Sequence, residues 1–102
     1  MPARGSGIIS TMPSTVARTV QVFGQVQGVW FRDSARHEAG SRGVSGWVRN
    51  RSDGSVQAFL EGEPEAVEAV ISWCRQGPPR AQVERVDVDD AEPQGLSGFD
   101  VC

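Results

Sequence analysis

Two short segments carry residue types that could do chemistry. The first, GQVQGVWFR over residues 24–32, joins an alternating run to a helix-like run through a glycine and ends in Arg32. Main-chain N–H groups at a helix start lack intrahelical acceptors and carry partial positive charge, so an anion placed there satisfies several donors at once. A guanidinium at the end of such a loop adds a permanently charged, two-pronged partner for phosphate oxygens. The second segment, GWVRN over 46–50, ends in Asn50 just before the turn-forming Ser52-Asp53-Gly54. Each has a plainer reading on its own, since Asn is favoured beside turns and Arg32 could be a surface charge on a helix. A glycine loop alone is likewise weak evidence for phosphate binding, but together the segments say more than either does separately.

Other constellations are thin. His37 is the sole histidine and lacks a metal-ligand spacing, so a metal site is not expected and an exposed helical position is. Cys74 falls late in a helical pattern, where the helix dipole disfavours a thiolate, and reads as a core thiol. No nucleophile-elbow motif accompanies the serines.

The elements that must position the two segments follow from periodicity. Val20, Val22, Gly24 and Val26 alternate with polar or larger neighbours, giving a strand over 18–26. Phe31, Ala35 and Ala39 recur every four residues and fall on one face of a helix that stops before Gly43. Residues 44–50 and 55–61 read as two strands of a hairpin, with Val56, Ala58 and Leu60 on one side. Pro64 suits the first turn of a second helix whose apolar side is Val67, Val70, Ile71 and Cys74, and Gly77-Pro78-Pro79 ends it. Residues 83–88 make a fourth strand and 99–102 a short last one. The order strand, helix, strand, strand, helix, strand predicts an α+β, ferredoxin-like βαββαβ sandwich: an antiparallel sheet covered on one face by two helices, plus a short extra strand.

Composition bounds what such a site could serve. One domain with a modest core fits 102 residues, of which 38% are hydrophobic and 23% charged. Residues 1–17, with only Ile8-Ile9 as an apolar run, read as a disordered extension too weakly apolar for a secretory leader, leaving 18–102 as the domain. No apolar stretch approaches the roughly 18 residues of a membrane span. Two cysteines make no disulfide framework, which favours a reducing, cytoplasmic setting. Charge is unevenly spread: residues 18–51 hold six Arg against two acids, a balance of +4, and residues 52–102 hold three Arg against eleven acids, a balance of −8. The plainer and favoured reading is a solvated acidic face; the sharper one is that positive potential gathers around the glycine loop and attracts anions. Extended nucleic acid is a poor partner for a chain of pI ≈ 5.0, and nothing marks an obligate interface, so a monomer is expected.

GQVQGVWFR, GWVRN and DGSV, followed by GEPEAVEAVISW, GPPRAQVERV and GLSGF, resemble the acylphosphatase family over about residues 18–102. The resemblance implies hydrolysis of carboxyl–phosphate mixed anhydrides to a carboxylate and inorganic phosphate, with no metal or cofactor. Carried onto this sequence, the family's phosphate-binding arginine falls on Arg32 and its water-positioning asparagine on Asn50. The loop whose amides hold the phosphate falls on Gln27, Gly28, Val29, Trp30 and Phe31. Trp30 stands where many members carry a smaller residue, and Asp33 is a less usual neighbour for the arginine. The carboxylate of Cys102 is a further group that could orient Arg32. Two readings of other classes stand beside this one. A noncatalytic phosphate- or acyl-metabolite-binding module would keep Arg32 and the loop without depending on Asn50. A ferredoxin-like RNA binder would need an aromatic pattern on its central strands and a basic face.

Overall fold

Alternating apolar residues make strands here and four-residue recurrences make helices, and the two patterns share one core. A computed structural model describes residues 15–102. Its elements are β1 (Val16–Gln25), α1 (Phe31–Ser41), β2 (Ser45–Asn50), β3 (Val56–Gly62), α2 (Pro64–Gln76), β4 (Gln82–Ala91) and β5 (Phe99–Val101). The sheet order is β4-β1-β3-β2-β5, with the first four strands antiparallel and β5 parallel to β2. This is the expected sandwich. β1 begins at Val16, two residues ahead of the expected domain start; the rest of the expected extension, residues 1–14, lies outside the described residues. No described helix is long and apolar enough to cross a membrane.

The helices bury the residues their spacing selects: Phe31, Ala35 and Ala39 from α1, and Val67, Val70, Ile71 and Cys74 from α2. They pack on Val20, Val22, Val48, Val56, Ala58 and Leu60 of the sheet, and the Phe31 ring meets Trp73 at a centroid distance of 5.2 Å. Pro64 opens α2, where a missing N–H costs nothing, and the Gly77 N–H closes it on the Trp73 carbonyl at 2.7 Å. Burial pushes the Cys74 thiol up to about 12, so it is protonated at neutral pH and is a packing group.

Two glycines are required by close approach. A Cβ on Gly24 would lie 2.1 Å from the Gln82 oxygen, at the point where the β1–β4 register shifts. On Gly46 it would lie 1.7 Å from the Phe59 oxygen. Gly24 thus permits the irregularity in the β1–β4 ladder and Gly46 the close approach of β2 to β3.

β4 runs to Ala91, three residues past the expected end at Val88. Asp89 and Asp90 have low strand propensity, but the length of β1 imposes the pairing, with Arg18 opposite Asp90 and an ion pair between them at 3.3 Å. From there the chain must pass from one edge of the sheet to the other to form β5. Glu61 governs that passage. It is 4% exposed, on the sheet face away from the helices, and its carboxylate accepts N–H bonds from Gln94 (2.8 Å), Gly95 (2.9 Å) and Leu96 (3.0 Å). Charge-assisted bonds of this kind are the stronger class. Glu61→Gln removes the charge and turns an N–H₂ toward main-chain donors, so it is expected to cost about 1–3 kcal/mol of stability. An unchanged urea midpoint would contradict this.

Candidate active site

The loop between β1 and α1 is shaped by main-chain conformation. Gly28 has φ +74°, and Trp30, at the N-cap of α1, is left-handed with φ 67° and ψ 21°. For a residue with a Cβ that conformation costs about 1–2 kcal/mol, and such strain persists where the surroundings fix it. The Ser34 N–H bonds the Trp30 carbonyl at 3.0 Å as the first helical bond. The amides of Phe31, Arg32 and Asp33 therefore stand at the open end of the helix without an intrahelical acceptor.

Gln27 anchors this loop to the neighbouring hairpin. Its Nε2 donates to the carbonyls of Arg51 (2.7 Å) and Ser55 (2.9 Å). The turn it grips is itself fixed, with the Asp53 carboxylate accepting from the Ser55 N–H at 2.9 Å and the Ser55 hydroxyl at 2.5 Å. These bonds lower the Asp53 pKa below its ordinary value, led by the hydroxyl. Their contribution is thus present above the ordinary carboxylate range and is lost as the pH falls through the lowered value, leaving the turn intact at neutral pH. Asn50 is the last residue of β2 and shares the helix-covered face with Val48, two positions back. Its carboxamide has no protein hydrogen-bond partner among the described residues.

Arg32 is half-buried, and its Nη1 donates to the main-chain oxygen of Cys102 at 2.9 Å. The Cys102 N–H in turn bonds the Val48 carbonyl at 2.9 Å, which fixes that oxygen beside β2. Among the described residues no side-chain carboxylate pairs with Arg32; Asp33 instead pairs with Arg36 at 3.8 Å. Val26, Gly28, Trp30, Phe31, Arg32, Asp33, Asn50 and Val101 enclose a cavity of about 230 Å³.

Of the residues expected in the site, Gly28, Trp30, Phe31, Arg32 and Asn50 thus come to one cavity. Gln27 and Val29 do not line it: Gln27 faces the hairpin, and Val29 packs against the core. Either could offer the cavity only main-chain atoms. Val101 was not foreseen, because β5 follows β4 after a seven-residue connection and then pairs in parallel with the sequence-distant β2, which leaves no local signal. A larger groove of about 820 Å³ lies on the other side of Asp33, lined by His37, Glu38, Trp73 and Pro78 among others. Its charged groups include two carboxylates and no arginine, so it is a poor anion site.

An acylphosphatase family model matches residues 18–101. The acylphosphatase of Thermococcus kodakarensis is 56% identical over 82 residues, covering 80% of this chain and 90% of its own length. Among solved structures, an acylphosphatase from Coxiella burnetii superposes with a TM-score of 0.83 at 35% identity, covering 86% of this chain and 93% of that one. One from Bacillus subtilis gives 0.83 at 32% identity, covering 85% and 98%. The match runs from the first strand through both helices to the last strand, taking in the loop at Gly28 and the strand end at Asn50, and so this chain belongs to the acylphosphatase family, hydrolases of the carboxyl–phosphate bond of acyl phosphates.

Proposed function

We propose that the amides of the 27–31 loop and the Arg32 guanidinium hold the phosphoryl group of an acyl phosphate while the Asn50 carboxamide oxygen holds the attacking water, with no metal or cofactor taking part. The observation that carries this reading is the single cavity lined by Gly28, Phe31, Arg32 and Asn50. Phosphoryl transfer needs chiefly positioning and charge stabilisation, which donors of this kind supply. The water oxygen bonds to phosphorus as the bond to the acyl oxygen breaks, and that electron pair leaves on the carboxylate. A carboxylic acid has a pKa near ~4, so the carboxylate departs at neutral pH without a general acid. Asn50 is too weak a base to take a proton, so a phosphoryl oxygen accepts it and the products are a carboxylate and dihydrogen phosphate. The chain acts in the reducing cytoplasm, a reading supported by its two free cysteines, Cys74 buried and Cys102 exposed, and as a monomer.

Hydrolysis of acetyl and benzoyl phosphate tests the proposal. Activity should be unchanged by a chelator, and inorganic phosphate should inhibit competitively. Activity that vanished with chelator, or kinetics indifferent to high phosphate, would overturn it. A second class of function, phosphate binding without turnover, predicts inhibitor binding with no hydrolysis.

A further inference from the structure

The cavity that holds Arg32 and Asn50 has an apolar side as well as a polar one. Among the described residues, two large hydrophobic side chains stand exposed, Trp30 at 69% and Val101 at 38%, and both line this one cavity. They come from separate elements: Trp30 from the loop before α1, and Val101 from β5, where it pairs with Val48 and faces the helices. Exposed apolar groups scattered singly need no explanation, but two converging on one mouth do. Trp30 also occupies a left-handed conformation that disfavours bulky side chains and is best tolerated by Gly and Asn, so an exposed indole stands where a glycine would relieve the backbone. Neither exposure nor strain is explained by the core: the indole is not among the side chains that pack on it.

The third side of the mouth is Asp33, whose side chain remains 57% exposed despite its long contact with Arg36. The phosphoryl group lies against Arg32 and the amides, so whatever leaves the site through this mouth is the acyl portion of the substrate. We infer that Trp30 and Val101 form an acyl-binding subsite that favours apolar, and above all aromatic, acyl groups, with Asp33 disfavouring acyl groups that carry a second negative charge. This inference rests on the phosphate reading of the same cavity. Aromatic rings gain from offset or edge contact with an indole beyond the area they bury, and an anionic acyl group meets a like charge at Asp33 whose repulsion is modest because the open mouth admits solvent and salt.

The measurement is kcat/KM for benzoyl and acetyl phosphate in wild type and variants, together with inhibition by inorganic phosphate. Comparing the benzoyl-to-acetyl ratio between proteins cancels the intrinsic difference between the two anhydrides. Trp30→Gly and Trp30→Asn both suit the left-handed backbone, and in each the ratio should fall roughly five- to tenfold, chiefly through KM. Val101→Thr, nearly the same shape but polar, should lower it about two- to threefold. Asp33→Asn should raise kcat/KM for an acyl phosphate with a free second carboxylate about threefold at low salt, an effect that shrinks as salt is added. An unchanged ratio in both Trp30 variants and in Val101→Thr, with acetyl phosphate still hydrolysed and phosphate still competitive, would overturn the subsite and leave the phosphate site standing. A ratio that falls in Trp30→Gly alone would assign the effect to the backbone and also overturn it. Failure of the wild-type chain to hydrolyse either compound would remove the phosphate reading and the subsite with it.

Discussion

Arg32→Ala should lower kcat/KM for acetyl phosphate by roughly a hundredfold or more and weaken inhibition by inorganic phosphate by a similar factor. Among the described residues the guanidinium is the one cationic side chain lining the cavity, and its loss leaves the loop amides alone against a dianion. Its orientation is not left to chance: one nitrogen is occupied by the Cys102 oxygen at 2.9 Å, so the remaining N–H groups are directed by a fixed anchor. Because Arg32 is only half-buried and bonds to a single main-chain oxygen, the variant should keep its fold, with a urea midpoint close to wild type. Arg32→Lys retains the charge but not the planar fork, and should recover a minor part of the loss. A variant Arg32→Ala with near-normal turnover and phosphate inhibition would sink the assignment.

Asn50→Ala should also reduce turnover by roughly a hundredfold, but with a different signature: kcat falls while the inhibition constant for phosphate stays within about threefold of wild type. The distinction follows from the proposed roles, since Arg32 acts on the phosphoryl group in both ground and transition states and Asn50 acts on the water. Asn50 is exposed, its carboxamide makes no protein hydrogen bond among the described residues, and it closes a strand whose pairing with Val56 is through the main chain. Its truncation should therefore cost little stability. Equal losses in kcat and phosphate affinity would show that Asn50 binds phosphate instead, and full activity would remove it from the mechanism.

The helices were legible because α1 and α2 carry their apolar faces in local spacing, and β1 to β3 because alternation and a turn sequence are local too. What was not legible was set by partners distant in sequence. Asp89 to Ala91 extend β4 because Ala17, Arg18 and Thr19 are there to pair with them. Glu61 looks like the polar end of a strand until the 94–96 segment arrives with three N–H donors. Gln27 reads as a loop residue, yet its side chain bridges to the hairpin 24 and 28 residues away. Within the site, the pairing of Arg32 with Asn50 was foreseen through motif resemblance. The apolar rim was only half visible, since Trp30 stood out by type and Val101 reaches the cavity through a parallel strand of three residues.

That short strand matters for more than the cavity. A sheet edge exposes a row of unsatisfied N–H and C=O groups on which another chain can add a strand, and proteins that stay dispersed must blunt it. β5 lies along β2 and uses that edge up, and being three residues long it offers little length for a newcomer to extend. The opposite edge is guarded differently, since β4 carries Glu84, Asp87, Asp89 and Asp90, whose counterparts on a second copy would repel them. The residues that complete the mouth of the site therefore also discourage edge-to-edge self-association, so that a truncation before Phe99 would uncover an aggregation-prone edge as well as opening the cavity.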